Sequence, residues 1–187
     1  MPYLVVVSGL PASGKTTLAK RLADELRLPL LAKDDIKELL FEVFPQKDRD
    51  WSTVQGRTSI AMMYAGAEAL LTAGYSVMIE SSFDPEMGRQ DVTKLIKATG
   101  CSYAEIHCSL NYAERQKRWT QRSLHNRHPG HMDDPTHVLS RTATDDDTAL
   151  FPDEAITIDT GLEQAEYLRR YDEIKNILTQ KGVKGEL

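Results

Sequence analysis

The sequence predicts an α/β fold in which helices cover both faces of a five-stranded parallel sheet. Short apolar runs typical of buried strands alternate with helical periods along the 187 residues. This alternation requires right-handed crossover connections, which place consecutive strands parallel in one sheet. A chain of this length can bury one core without disulfides or structural metals, so we expect one domain spanning residues 1–187.

The first half of the chain contains three predicted strands and three predicted helices. Leu18, Leu22 and Leu26 recur at four-residue spacing and indicate an amphipathic helix. The segment Phe44–Val54 has no clear periodicity, so we expect a loop or an irregular helix there. The strands are predicted at Tyr3–Val7, Leu28–Ala32 and Tyr75–Ile79, and the helices at Lys15–Leu26, from Ile36 to Val43, and at Arg57–Ala73 with Gly74 as its stop.

The second half contains two further strands. Pro85 suits the first turn of a helix, which Gly100 ends. The remaining elements are strands at Ser102–Leu110 and Ala155–Asp159, a helix from Tyr112, and a helix at Leu162–Gln180 with Leu168, Tyr171, Ile174 and Leu178 on one face.

Composition narrows the classes of function. The net charge of −5 argues against broad nucleic-acid binding and favours a small substrate. The longest apolar stretches are too short to cross a bilayer and no basic leader opens the chain, so we expect a cytoplasmic protein. Cys101 and Cys108 do not form a metal-type pair and are expected to be buried thiols.

Residues Gly9–Thr16 read Gly-Leu-Pro-Ala-Ser-Gly-Lys-Thr and follow the first strand. Glycines in this pattern let backbone N–H groups turn inward around phosphates, and the helix that follows presents its positive end. Lys15 then reaches the β- and γ-phosphates of ATP, and the Thr16 hydroxyl can join a Mg²⁺ site. The predicted ATP-binding residues here are Gly9, Ser13, Gly14, Lys15, Thr16 and Thr17.

Two carboxylates, Asp34 and Asp35, end the second strand. Asp35 stands three residues before Glu38, a variant of the capping box, so we expect Asp35 to cap the next helix. Asp34 has Lys37 three residues on, so it is freer to face the cleft and accept a proton from an acceptor hydroxyl. In the alternative, Asp34 caps the helix and Asp35 is solvated.

The segments Gly9–Thr17 and Lys33–Lys37 together resemble those of small P-loop kinases, a group that includes polynucleotide 5′-hydroxyl kinases, chloramphenicol phosphotransferase and zeta toxins. The resemblance implies a P-loop NTPase fold with sheet order 2-3-1-4-5 and a helical lid. It implies that Asp34 is the general base and that Lys37 helps to hold the acceptor. Polynucleotide kinases typically have Arg in place of Lys37, so a bidentate phosphate contact is lost and a nucleic-acid acceptor is disfavoured.

Residues Glu80–Pro85 follow the third strand. By the same resemblance they line the acceptor pocket, with Glu80 and Ser81 as substrate contacts. From chemistry alone, Glu80 could also hold a Mg²⁺-bound water or pair with a Lys or Arg. Because ligands of parallel sheets bind at the carboxyl ends of strands, we expect the phosphate loop, Asp34, Glu80 and Asp159 to meet at one edge.

A basic segment, Arg115–Arg127, stands out in an acidic chain. Arg118 and Arg122 are four residues apart, so both can lie on one helical face and point into one cleft. Guanidinium groups that close over a transferring phosphoryl group lower the barrier. The resemblance makes both arginines catalytic residues of a lid at about residues 115–136, whereas Arg115 is expected to be solvated and Arg127 fits either role.

The segment beyond the arginines carries a group of histidines. A zinc site would need a tight spacing, which is missing, so we expect polar lid surface or substrate contacts rather than a metal site. Asp145–Asp147 is expected to be a solvated run that caps a helix or turn. The histidines are His125, His128, His131 and His137.

The end of the fifth strand has two interpretations. By the resemblance, the backbone at Asp159 and Thr160 passes beside the adenine of ATP. The alternative is an ordinary turn in which Thr160 caps the next helix.

These residues indicate an ATP- and Mg²⁺-dependent kinase that phosphorylates a hydroxyl of a small molecule or nucleotide sugar. One alternative is a polynucleotide 5′-hydroxyl kinase. An alternative from another class is a nucleotide-dependent switch or regulatory ATP-binding module. The sequence does not identify the acceptor or the oligomeric state.

Overall fold

The structure, a computed structural model, describes residues 1–45, 48–125, 128–131 and 147–185. Within these ranges the chain forms five strands and six helices. In chain order they are β1 (Tyr3–Ser8), α1 (Lys15–Leu26), β2 (Leu30–Ala32), α2 (Lys33–Val43), α3 (Arg49–Thr72), β3 (Val77–Glu80), α4 (Pro85–Thr99), β4 (Ser102–Ser109), α5 (Tyr112–His125), β5 (Ile156–Asp159) and α6 (Gln164–Gln180).

The five strands form one parallel sheet in the order β2-β3-β1-β4-β5, which confirms the predicted fold class and strand order. The register pairs Val7 with Glu80 and Ser8 with His107. At the sheet margin Ser109 pairs with Asp159. The carboxyl ends of all five strands therefore lie at the same edge, where the phosphate loop begins.

Strand β1 divides the core into two layers. Val5 and Val7 pack against α1 and α6 on one face of the sheet, and alternate residues Leu4 and Val6 pack against α3 and α4 on the other. A strand covered on both faces needs apolar side chains at successive positions, which is why β1 is a continuous apolar run. The two layers leave the strand ends free for binding.

Helix α3 begins eight residues earlier than predicted, so residues from Arg49 onward in the segment expected to be a loop or an irregular helix form its regular first turns. Asp48 caps the helix by accepting a hydrogen bond from the N–H of Trp51 at 2.8 Å. The buried stripe of α3 is polar in its first half, so no hydrophobic period marks it: its members are Ser52, Gln55, Ser59, Met63, Ala67 and Leu71. No helix in the described part of the chain is long and apolar enough to cross a membrane.

Helix α2 starts directly after β2, and both predictions of a capping aspartate there are wrong. The N-cap is Ala32, in extended conformation and without a side-chain hydrogen bond. Asp34 and Asp35 both lie in the first turn, where a carboxylate interacts favourably with the helix dipole. Asp35 is paired with Lys20 of α1 at 3.2 Å.

Helix α6 corrects two further expectations. Its N-cap is Glu163, so Thr160 does not cap it. Tyr171, Ile174 and Leu178 are fully buried as predicted, but Leu168 is 37% exposed. Tyr167, one residue earlier, packs against this core in place of Leu168.

Candidate active site

The phosphate loop has the backbone that the sequence predicts. Gly9 and Gly14 have φ angles of 140° and 83°, in the region that favours glycine. A Cβ atom at Gly9 would overlap the carbonyl oxygen of Cys108, so only glycine fits between the loop and β4. Gly14 is also the N-cap of α1, whose first N–H groups open into the loop and suit an anion.

Two other loop residues carry features typical of a ligand cradle. Ala12 has a φ of 66°, a conformation that costs a non-glycine residue energy and that clusters at functional sites. Ser13 is fully buried, and its Oγ has no hydrogen-bond partner among the described residues. Thr17, also predicted to bind nucleotide, is exposed in the first turn of α1.

Lys15, Thr16 and Glu80 form a cluster at the base of the loop. Lys15 Nζ lies 3.7 Å from Glu80 Oε1, and both side chains are buried. The Thr16 hydroxyl donates to the same carboxylate at 3.3 Å. Hydroxyl and carboxylate oxygens are the ligands that Mg²⁺ prefers, so Thr16 and Glu80 fit a magnesium site beside the phosphates.

Asp34 lies close to this cluster, two residues after Ala32, which pairs with Glu80 in the sheet. Its Oδ1 accepts a hydrogen bond from Lys33 Nζ at 2.8 Å. Burial alone would raise the pKa of Asp34, but the charge and hydrogen bond of Lys33, with the charges of His131 and Lys15, hold the pKa below its ordinary value. Asp34 is therefore ionised at neutral pH.

Glu80 is shifted in the opposite direction. Burial raises the pKa of Glu80, and the negative charge of Asp34 adds to this, whereas Lys15 and the Thr16 hydrogen bond oppose it. Two carboxylates whose surroundings push their pKa values apart are suited to different tasks. The ionised Asp34 can accept a proton, and the buried Glu80 can bind a cation.

A cleft of about 1150 Å³ opens beside Asp34 and Glu80. One wall consists of α2 and α3, the other of the β3–α4 connection and α4, and α5 contributes Trp119 and Arg122. A smaller cavity of about 550 Å³ extends on the side of Thr16. Asp34, Arg122 and His131 line both spaces, so they stand between the two cavities.

Two predicted acceptor contacts, Lys37 and Ser81, line the larger cleft. Lys37 is 8% exposed, and its Nζ donates to Ser52 Oγ of α3 at 2.8 Å. Ser81 is buried next to Glu80, with its N–H donating to the Val7 carbonyl. Both residues therefore lie on the surface of the larger cleft, and the contact between Lys37 and α3 was not predicted.

The structure separates the two arginines that were expected to share one cleft. Arg122 lines the cleft beside Asp34 and stacks over Trp119 with its guanidinium carbon 5.2 Å from the ring centre. Arg118 instead donates to the Thr160 carbonyl at 3.0 Å and to Thr160 Oγ1 at 3.3 Å. It also lies 3.5 Å from Glu114. Arg118 therefore stabilises the carboxyl end of β5 and does not face Asp34 and Glu80.

Thr160 links the end of β5 to the phosphate loop. Its hydroxyl donates to the Ser13 carbonyl at 2.7 Å, and its side chain contacts the position of Gly14. Asp159 accepts a hydrogen bond from the N–H of Gly161 and so stabilises its own turn. Both predicted residues lie at the loop, and Thr160 positions it directly.

Two histidines of the predicted group, His128 and His131, contact α2. His128 Nε2 lies 3.0 Å from Glu42, and His131 Nε2 lies 2.9 Å from Glu38. These pairs hold residues 128–131 over α2 and bring His131 to the cleft. The side chain of His125, together with Arg127, His137, Asp145 and Asp146, falls outside the described residues.

A buried polar network beneath the loop was missed by the sequence analysis. Ser8 Oγ donates to Glu105 at 2.6 Å and lies 3.0 Å from His107 Nδ1. His107 Nε2 lies 3.2 Å from Asp147, which is also 3.5 Å from Arg115. The sequence offered one signal of this network: Glu105 and His107 lie on one face of a buried strand, where polar side chains require hydrogen-bond partners.

Two expectations are wrong as a result. Arg115 is 5% exposed rather than solvated, because it reaches Asp147 under α5. Asp147 is not part of a solvated run, because it pairs with Arg115 and His107 inside the protein. The network joins residues 147–151, β4 and the strand that leads into the phosphate loop.

Comparison with known proteins agrees with this geometry. Residues 4–143 match the family model described as an AAA domain. A presumed kinase from Chloroflexus aurantiacus J-10-fl is 32% identical, with a TM-score of 0.84 over 96% of this chain and 97% of that chain. No curated protein matches the chain significantly.

Two more distant solved structures show the same fold. A sugar kinase from Janibacter sp. HTCC2649 is 21% identical, with a TM-score of 0.61 over 98% of this chain and 95% of that chain. A gluconokinase from Sinorhizobium meliloti 1021 is 16% identical, with a TM-score of 0.58 over 96% and 94%. The chain belongs to the AAA domain family and has the fold of the small P-loop kinases.

Proposed function

We propose that the protein is an ATP-dependent kinase that transfers the γ-phosphate to a hydroxyl group of a small molecule or nucleotide sugar. The observation that carries the proposal is Asp34, an ionised carboxylate that lines a cleft of about 1150 Å³ together with Lys15 of the phosphate loop. A protein that only binds or hydrolyses nucleotide needs no such cleft beside an ionised carboxylate. The likeness to sugar kinases and a gluconokinase agrees with a polyhydroxylated acceptor.

In this proposal the N–H groups of the loop, from Gly9 to Gly14, bind the phosphates together with Lys15. Thr16 and Glu80 hold Mg²⁺, which when bound neutralises charge on the β- and γ-phosphates. Arg122, in a lid at about residues 115–136, faces the charge that develops on the transferring group. Thr160 and Arg118 fix the wall beside the nucleotide base.

Asp34 is assigned the role of general base. The acceptor hydroxyl gives its proton to the Asp34 carboxylate as its oxygen bonds to the γ-phosphorus, and the bond to the β-phosphate oxygen breaks with ADP as leaving group. Lys37 and Ser81 orient the acceptor from the two walls of the cleft. A base of lowered pKa stays ionised at neutral pH, so every enzyme molecule is ready to accept the proton.

The test replaces Asp34 by Asn and follows transfer by ADP release over a panel of hydroxyl acceptors. Transfer is expected to fall by about two to four orders of magnitude, the usual scale for general-base catalysis, while ATP affinity stays nearly unchanged. Asp172→Asn is the matched control, because this exposed carboxylate of α6 pairs with Lys175 and lines neither cavity. Equal transfer by wild type and Asp34→Asn would refute the assignment.

We further propose that nucleic acid is not the acceptor. The net charge of −5 opposes a polyanionic strand, and Lys37 cannot form the bidentate contact that an arginine would. A 5′-hydroxyl oligonucleotide offered with γ-labelled ATP is expected to remain unlabelled. Labelling that saturates at low oligonucleotide concentration would favour the polynucleotide kinase instead.

A further inference from the structure

One stretch of the cleft wall, formed by Lys37 of α2 and the first half of α3, is cationic. Lys37, Arg49 and Arg57 line it, and Ser52 and Thr53 lie between them. No carboxylate lines the described part of this stretch between Lys37 and Ala65. Elsewhere in the cleft, cations and carboxylates are mixed: the carboxylates are Asp34, Glu68, Glu80, Asp84 and Asp91, and Lys15, Lys33 and Lys94 lie close to them.

The cations of α3 lie on one face of the helix. Arg49, Thr53 and Arg57 follow at four-residue intervals, which places them above one another over roughly 12 Å at 1.5 Å per residue. Lys37 reaches the same cleft from α2, and its Nζ donates a hydrogen bond to Ser52 Oγ of α3 at 2.8 Å. The stripe thus presents one buried ammonium and two exposed guanidinium groups to the same space.

Gly56 is an independent sign that something approaches this stripe. It lies in the helix interior between Arg49 and Arg57, where glycine costs roughly 0.5–1 kcal/mol relative to alanine. A Cβ at Gly56 would meet no atom within 4 Å, so the residue is not needed for packing inside the protein. The open space in front of Gly56 is part of the cleft.

We infer that this stripe, formed by Lys37, Arg49, Gly56 and Arg57, binds an anionic group of the acceptor, a carboxylate or a phosphate ester. The inference rests on the proposed kinase function and names the substrate class: a hydroxylated anion whose hydroxyl meets Asp34 while its charge meets the stripe. Guanidinium groups recognise carboxylates and phosphates through paired hydrogen bonds, which fixes both the charge and the orientation of the acceptor.

The test measures binding by calorimetry with the nucleotide site saturated by ADP and Mg²⁺, so that probes cannot occupy the phosphate loop. The probes are two matched series: glucose, gluconate and glucose 6-phosphate, and glycerol, glycerate and glycerol 3-phosphate. At least one anion is expected to bind about 10- to 100-fold more tightly than its neutral counterpart, the scale of a charge-assisted contact. Whether carboxylates or phosphates bind more tightly identifies the anion.

Arg57→Gln and Arg49→Gln should each remove most of this preference, while glucose or glycerol binding stays the same. Arg169→Gln is the matched control, because it changes the net charge equally on the exposed surface of α6. The inference is overturned if no anion binds more tightly than its neutral partner, or if the preference survives both cleft substitutions.

ADP release is measured with the same probes and separates this inference from the proposed function. An anion that binds through Arg57 but accepts no phosphate from ATP supports the stripe and counts against the kinase assignment. A neutral acceptor that is phosphorylated without anion preference supports the kinase and refutes the stripe.

Discussion

Replacing Glu105 by Gln tests the buried network beneath the phosphate loop. Glu105 is 1% exposed, and its carboxylate accepts four hydrogen bonds. The donors are Ser8 Oγ at 2.6 Å, Leu150 N at 2.8 Å, Phe151 N at 2.9 Å and Tyr103 Oη at 3.0 Å. Through them one side chain holds residues 150–151 against β4 and the end of β1.

The cost of the substitution follows from the two oxygens. Oε1 accepts from Ser8 and Leu150, and Oε2 from Phe151 and Tyr103. An amide keeps one acceptor oxygen, so in either orientation one backbone N–H faces an NH₂ group, whereas the hydroxyls can rotate. Losing a charge-assisted bond and leaving a buried donor unsatisfied should together reduce the free energy of unfolding by about 3 kcal/mol.

Urea unfolding followed by circular dichroism measures this loss, and the midpoint of thermal unfolding should fall by roughly 6–12 °C. Tyr103→Phe is the control, because it removes one neutral donor and leaves both backbone N–H groups satisfied, at a cost of about 1 kcal/mol. If Glu105→Gln were no more destabilising than Tyr103→Phe, the carboxylate would not hold the network as argued.

Two further predictions concern the cleft. Lys33→Met removes the largest of the influences that lower the pKa of Asp34, so the acid limb of the kcat/KM profile should move to higher pH; an unmoved limb would show that Asp34 is not the titrating base. Gly56→Ala should raise stability by roughly 0.5–1 kcal/mol, whereas Gly56→Leu should lower kcat/KM for the acceptor with ATP affinity intact. Equal kcat/KM for Gly56→Leu and wild type would place the acceptor elsewhere.

The elements that the sequence predicted well are those with local signals. Leu18, Leu22 and Leu26 define α1, and Pro85 with Gly100 bounds α4 to within a residue. The phosphate loop is also local, since its glycines, lysine and threonine are consecutive. The location of Asp34 and Glu80 at the cleft was predicted from topology, because the carboxyl ends of parallel strands lie at one edge of the sheet.

The features that sequence reasoning missed depend on partners far along the chain. Arg115 was expected to be solvated because helical spacing shows which residues share a face, but not what covers that face. Its partner Asp147 is 32 residues away. The early turns of α3 were missed because their buried positions are the polar residues Ser52 and Gln55, which leave no apolar pattern. Ser52 Oγ accepts a hydrogen bond from Lys37, and the Gln55 carbonyl accepts one from Ser59.

The net charge of the chain and the local charge of the cleft are expected to act on acceptors of different sizes. A net charge of −5 repels an extended polyanion over its whole contact surface, whereas salt screens such repulsion beyond roughly 8–10 Å. A small anion that reaches the stripe at Arg49 and Arg57 is within that distance of the cations and experiences mainly their field. On the proposed function we therefore expect this acidic protein, with its cationic stretch of cleft wall, to bind small anions in preference to nucleic-acid strands. Raising the ionic strength should weaken the binding of anionic probes without changing that of neutral ones.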